Sequence, residues 1–180
     1  DLGDLGSNIE HFEHGGKRYS KIGVLGRIVK MLRFPDGSVR ILVRGIRRIK
    51  QFAIPQSSKP QTIKVIELPF EKDGGLETVA MAKNAITQFH EIISSSPFYP
   101  DDLRIEVMNV SDNYRLADLI ADTLNFRYSE KLALLSAPTI HSRFQILTIL
   151  LNREIEIIHL GSKIHSQVSS ALGQSQREYY

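Results

Sequence analysis

Apolar and polar positions change period once along this chain. From Lys21 to Phe34 the chain is rich in Ile, Val and Leu, which predicts a strand. Pro35-Asp36-Gly37 is a turn signal, because Pro sets φ, Asp bonds locally and Gly accepts positive φ. Ser38 to Arg44 then alternates. Val39, Ile41 and Val43 point one way, Ser38, Arg40 and Arg44 the other, and Leu42 is the exception. The two segments predict a hairpin whose second strand is half-buried with a cationic outer face. Gly45 allows a bulge, Ile46 to Ile54 continues extended, Pro55 to Pro60 is a polar loop, and Thr62 to Leu68 is a further strand closed by Pro69.

After Asp73-Gly74-Gly75 the period becomes about 3.6. Val79, Ala82, Ile86, Phe89 and Ile93 predict a helix from Leu76 to Ser95, stopped before Pro97. Asp101 or Asp102 caps a short helix through Met108, and Ser111-Asp112 opens another with Leu116, Leu119, Ile120 and Leu124 as its apolar face. Ser129 caps a brief helix through Leu135. Thr139 opens a helix running past Leu172, with Leu150, Ile157, Ile164 and Ala171 spaced by seven. Its first half is densely apolar and must be packed on several sides. Its second half is rich in Ser, Gln and His, so it leaves the domain, either solvated or paired with a neighbouring chain. The polar, glycine-containing start, Asp1 to Gly16 with His11 and His14, reads as a loop or frayed end.

The fold class expected is therefore α+β: a small antiparallel β-barrel-like unit, then a helical bundle ending in a long exit helix. The expected boundaries are 1–70 for the basic β unit, 76–138 for the bundle and 139–180 for the long helix. Residue 1 is Asp, and the helical pattern reaches Tyr180 without a cap or breaker. Both ends look cut, so the chain reads as a piece of a larger protein.

Composition narrows the function classes. Apolar residues make up 42% of the 180, enough to bury a core. No apolar run approaches the roughly 18–20 residues needed to cross a bilayer, so a membrane is not an expected partner. There are no cysteines, which excludes disulfides and thiolate metal sites. The net charge of +3 hides an asymmetry: residues 17–50 hold eleven Lys/Arg and one acid, Asp36, whereas residues 76–160 hold eleven acids and seven bases.

Catalytic motifs are wanting. Gly161-Ser162-Lys163 lacks the preceding glycine of a phosphate loop, and His90-Glu91 has no second histidine in register. His159 and His165 lie six apart, too far round a helix to share a metal easily. Asp101-Asp102 is better explained by a helix N-terminus than by an acid pair. No catalytic, cofactor-binding or metal residue is assigned. Arg115 and Asp118, three apart, read as a structural pair. The basic stretch has two readings. Arg27, Arg40, Arg44, Arg47 and Arg48, with Arg33 and Lys50, could track a phosphate backbone, with Phe34 and Phe52 for stacking. Equally, they form a solvated outer face that discourages edge pairing. A surface for acidic or unfolded polypeptide is a third option.

Several segments in order carry a resemblance. They are Ile22-Gly23-Val24, the hairpin Met31-Leu32-Arg33-Phe34-Pro35-Asp36-Gly37, and Leu42-Val43-Arg44-Gly45-Ile46-Arg47-Arg48. Arg115-Leu116-Ala117-Asp118-Leu119-Ile120-Ala121, Lys131 with Leu134-Leu135, Glu154-Ile155-Glu156-Ile157 and the ending Ser175-Gln176-Arg177-Glu178-Tyr179-Tyr180 follow. From Lys21 to Tyr180 the chain resembles the N-terminal, substrate-recruiting domain of the Lon family of ATP-dependent proteases.

The resemblance implies a non-catalytic recognition and assembly module for damaged, misfolded and selected regulatory proteins. It implies a parent that is a homohexameric serine endopeptidase with a Ser–Lys dyad, using ATP and Mg, with no cofactor in this part. The family's opening strand is missing here, and the long helix would lead to an ATPase module outside the chain. Unfolded or tagged proteins and other copies of itself are the implied partners, and DNA is a further partner that the basic face allows. The bacterial cytoplasm is the implied compartment, with the mitochondrial matrix as the alternative. The candidate client contacts are Met31, Leu32, Phe34 and Pro35 at the hairpin tip, which ordinary hairpin packing would explain equally well.

Overall fold

The computed structural model describes residues 9–52, 63–69, 75–97 and 99–178, with side chains through residue 169. The chain divides into two compact units. Residues 1–71 and 128–138 make one, and residues 72–127 and 139–180 make the other. The Pro55–Pro60 loop and the Asp73-Gly74 break of the sequence reading lie outside the described residues.

Among the described residues the first unit contains two antiparallel sheets and one helix. Strands β1 (His11–His14) and β2 (Lys17–Ser20) form a small hairpin. The loop or frayed end expected through Gly16 thus holds half of a hairpin, turned at Gly15-Gly16. Both glycines have positive φ, 56° and 73°, the left-handed geometry that lets a two-residue turn follow the twist of its strands. Phe12 stacks on Tyr19 across this hairpin, ring centroids 5.5 Å apart.

The second sheet has the order β3-β4-β5. Strand β3 (Ile22–Arg33) and β4 (Val39–Gln51) form the long hairpin expected around Pro35-Asp36-Gly37. At the tip, Gly37 N–H donates to Phe34 O at 3.0 Å and Ser38 N–H to Asp36 Oδ1 at 2.8 Å. The irregularity expected at Gly45 is there: Leu25 pairs with Arg47 and Gly26 with Gly45, leaving Ile46 as the extra residue of β4, and a second shift falls at Ile28/Lys30. Strand β5 is short, Val65–Glu67. Helix α4 (Tyr128–Ser136) groups with these strands, apart from the helices around it in sequence. Ser129, expected as its cap, lies inside it.

The second unit is helical: α1 (Leu76–Ser94), α2 (Asp102–Met108), α3 (Asn113–Thr123) and α5 (Ile140–Glu178). Caps explain two of the starts. Asp112 Oδ1 accepts from Arg115 N–H at 2.7 Å. Thr139 and Ser142 cap each other: Ser142 N–H donates to Thr139 Oγ1, and Thr139 N–H to Ser142 Oγ, both at 3.1 Å. Asp101 makes no side-chain cap and pairs with Arg104 instead, at 2.9 Å.

The core of this unit comes from Phe89, Ile92 and Ile93 of α1, Val107 of α2, Leu116 and Ile120 of α3, and Phe144, Leu147, Leu150 and Leu151 of α5. Each such side chain contributes about 1.5–3 kcal/mol through burial. Arg143 is buried among them; its guanidinium donates to Asp118 Oδ1 at 2.7 Å and lies over the Tyr114 ring. Asp118 was read as a partner for Arg115, a local i,i+3 choice that overlooks α5. Burial along α5 stops at Leu151, and every side chain from His159 to Ser169 is exposed.

Candidate substrate-binding ribbon

The β3–β4 hairpin offers the site. Every large apolar side chain from Val24 to Ile46 is 36% to 59% exposed. The sequence reading expected one buried face here; the structure leaves both faces of the hairpin open. Register and strand alternation sort the side chains. One face carries Val24, Ile28, Met31, Val39, Ile41 and Val43. Gly26 lies on it too, where a Cβ would fall 2.7 Å from Val43 Cγ1. This face is apolar apart from Arg33 at the tip end and Arg48 and Lys50 at the base. The opposite face carries Arg27, Lys30, Arg40, Arg44 and Arg47, with Leu25, Leu32 and Leu42 between them.

The proposed tip contacts therefore separate. Met31 belongs to the apolar face and Leu32 to the cationic one, both about half exposed, at 50% and 48%. Phe34 lies beneath the Arg40 guanidinium, 4.8 Å from the ring centroid, so its ring is already engaged by a cation. Pro35 sits at the exposed turn.

Four of the five candidate basic residues, Arg27, Arg40, Arg44 and Arg47, share the cationic face. Arg47 is tied to Glu67 of β5 at 2.6 Å. Arg48 is a correction. It is only 5% exposed and projects to the other face. Its Nη1 donates to the carbonyls of Leu135, at 3.0 Å, and Ala137, and its Nη2 to that of Pro138. A guanidinium with five donors suits a row of helix-end carbonyls, and that tertiary demand took it off the surface.

A cleft of about 400 Å³ lies beside it, lined by Ile22, Arg48, Lys50, Leu68, Ser136 and Pro138 among others. Its cations are spoken for. Lys50 pairs with Glu10 at 3.0 Å, and Lys21 meets the same carboxylate at 3.1 Å. The Lys50 hydrogen bond, seconded by that of Lys21, holds Glu10 below the usual carboxylate range. Asp36 is lowered in the same direction by its hydrogen bonds to Ser38. Among the described residues no three His, Asp or Glu converge to hold a metal ion. No described helix is long and apolar enough to cross a membrane.

The β3–β4 hairpin thus presents an exposed apolar face of the kind that binds other chains. The chain belongs to the family described as the ATP-dependent protease La (LON) substrate-binding domain, which matches residues 6–153. It is similar to the Lon protease of Dictyoglomus thermophilum, 35% identical over 162 residues, covering 89% of this chain and 20% of that protein. The Lon protease of Escherichia coli K12 is 27% identical over 159 residues, covering 88% of this chain and 20% of its own length. The chain thus spans about one fifth of these relatives. Among solved structures, the N-terminal domain of Mycobacterium avium complex Lon protease shares the fold, with a TM-score of 0.62 at 20% identity, over 73% of this chain and 70% of that one.

Proposed function

We propose that this chain is the client-recognition and assembly module of a larger, ATP-dependent serine protease, and that it holds exposed apolar segments of damaged, misfolded or selected regulatory proteins. The observation that carries this reading is the β3–β4 ribbon, whose large apolar side chains stand 36% to 59% exposed within a family described as substrate-binding. Met31, Ile28, Ile41 and Val43 supply the contact area, with Leu32 and Phe34 at the tip. A single ribbon binds weakly. Six copies in a homohexameric parent would raise the effective concentration of the second and later contacts. Hydrolysis, ATP and Mg belong to modules beyond this chain, and the bacterial cytoplasm suits such an assembly better than the mitochondrial matrix, given bacterial relatives.

The second reading is a phosphate-backbone interface on the cationic face, favoured by Arg27 and Arg44 lying opposite each other in the ladder. Ionic strength separates the two. Capture of a permanently unfolded protein by the apolar face should hold or strengthen as salt rises. Nucleic-acid binding through several cations should fall about tenfold or more between 50 and 200 mM. Capture that collapses with salt, alongside tight duplex binding, would favour the second reading.

A further inference from the structure

We propose that the free edge of β3 takes a client segment as an added strand, and that it prefers segments in which apolar residues alternate with acidic ones. This rests on the recognition reading and specifies its substrate class and geometry.

Three observations carry it. First, among the described residues β3 stands at the edge of its sheet, with β4 as its one partner there. A strand with a single partner leaves half its N–H and C=O groups facing outward, a template for another extended chain. Second, the two faces beside that edge differ. An incoming strand would set alternate side chains against Val24, Ile28 and Met31 on one face and against Arg27 and Lys30 on the other. Arg27 and Lys30 are exposed and have no ion-pair partner among the described residues. Third, the opposite edge of the same sheet already holds such a strand. β5 pairs with β4, Ile66 opposite Lys50 on the apolar face and Glu67 opposite Ile49 on the cationic face. The Glu67 carboxylate takes Arg47 at 2.6 Å. Val65-Ile66-Glu67 thus sets Ile66 on the apolar face and its one acid, Glu67, on the cationic face, with Val65 opposite Gln51, and β3 offers the same two-faced chemistry on its own side.

The test uses the whole 180-residue chain and short labelled peptides read by fluorescence anisotropy. An eight-residue peptide alternating Val and Glu is expected to bind about tenfold more tightly than its isomer with the four Val and four Glu in separate blocks, and more tightly than the Val/Lys alternation. N-methylation of every second amide along one edge should abolish the advantage, and amide exchange in β3 should slow on binding. Arg27→Glu with Lys30→Glu, on exposed positions, should reverse the preference toward Val/Lys without changing the melting temperature. Equal affinity for the isomers, indifference to N-methylation, or an unchanged preference in the charge-reversed chain would overturn the proposal. So would concentration-dependent dimerisation that protects β3 without peptide, since a second copy would then be the occupant. The recognition reading fails separately: it is lost only when the chain binds no unfolded protein at all, whatever the peptides do.

Discussion

Arg48 Nη1 donates to the carbonyl oxygen of Leu135 across 3.0 Å and 87 positions of sequence. With the Ala137 and Pro138 carbonyls, this makes one guanidinium the clasp between β4 and the end of α4. Arg48→Ala should cost about 3 kcal/mol, since three carbonyls lose the donors of a side chain that is only 5% exposed. Arg44→Ala, on the open face, should change stability by less than about 0.5 kcal/mol. Paired thermal melts of the two variants check the contrast, and equal losses would contradict the clasp.

The helical unit depends on α5 through Phe144 and Leu147, both fully buried. Phe144→Ala should lower stability by about 3–5 kcal/mol. Leu160→Ala, half exposed beyond the packed half of the same helix, should lower it by well under 1 kcal/mol. Chemical denaturation curves measure both, and a large loss at Leu160 would show that the second half of α5 is packed in this chain.

Of the ribbon's two close glycine approaches, Gly26 to Val43 is tighter than Gly45 to Val24. Gly26→Val would put its Cβ 2.7 Å from Val43 Cγ1, too close for a β-branched neighbour to accommodate by rotation. The expected outcome is a loss of about 1–3 kcal/mol, relieved by the double variant with Val43→Ala. Absence of that rescue would mean that the strain lies elsewhere.

The Glu10 carboxylate ties Lys21 and Lys50 together, with its pKa lowered by both. A carboxylate whose folded pKa lies below its unfolded value stabilises the fold above the unfolded pKa, and that contribution is lost as pH falls through the folded one. The stability gap between the parent chain and Glu10→Gln should therefore be flat near neutral pH and close in acid, below the usual carboxylate range. A gap that widens in acid would contradict the assignment. Exposure of the group keeps the effect small.

Local pattern carried much of this fold. The alternation at Val39, Ile41 and Val43 places those residues on one face, and the Pro35-Asp36-Gly37 turn sits where expected. Asp112 and Thr139 start the helices that they were read to cap. The family could be read from ordered segments and is shown by the match over residues 6–153. What escaped were long-range choices. Alternation along β4 sends Arg47 and Arg48 to opposite faces, but that Arg48 is buried there depends on the carbonyls of Leu135, Ala137 and Pro138, 87 to 90 positions on. Asp118 has a plausible partner three residues away and takes one 25 positions on. The β1–β2 hairpin was missed for another reason: its strands are four residues each, too short to establish a period, and the signal lay in Gly15-Gly16 alone.

The most direct measurement of the central idea is capture of a permanently unfolded protein by the chain and by a variant with Ile28→Asp and Ile41→Asp. Both positions are exposed on the apolar face, so folding should survive. The account predicts that the parent binds the unfolded protein and ignores its native form, and that the variant loses about tenfold or more in affinity at an unchanged melting temperature. Undiminished capture by a folded Ile28→Asp, Ile41→Asp chain would show that clients are held somewhere other than the β3–β4 ribbon.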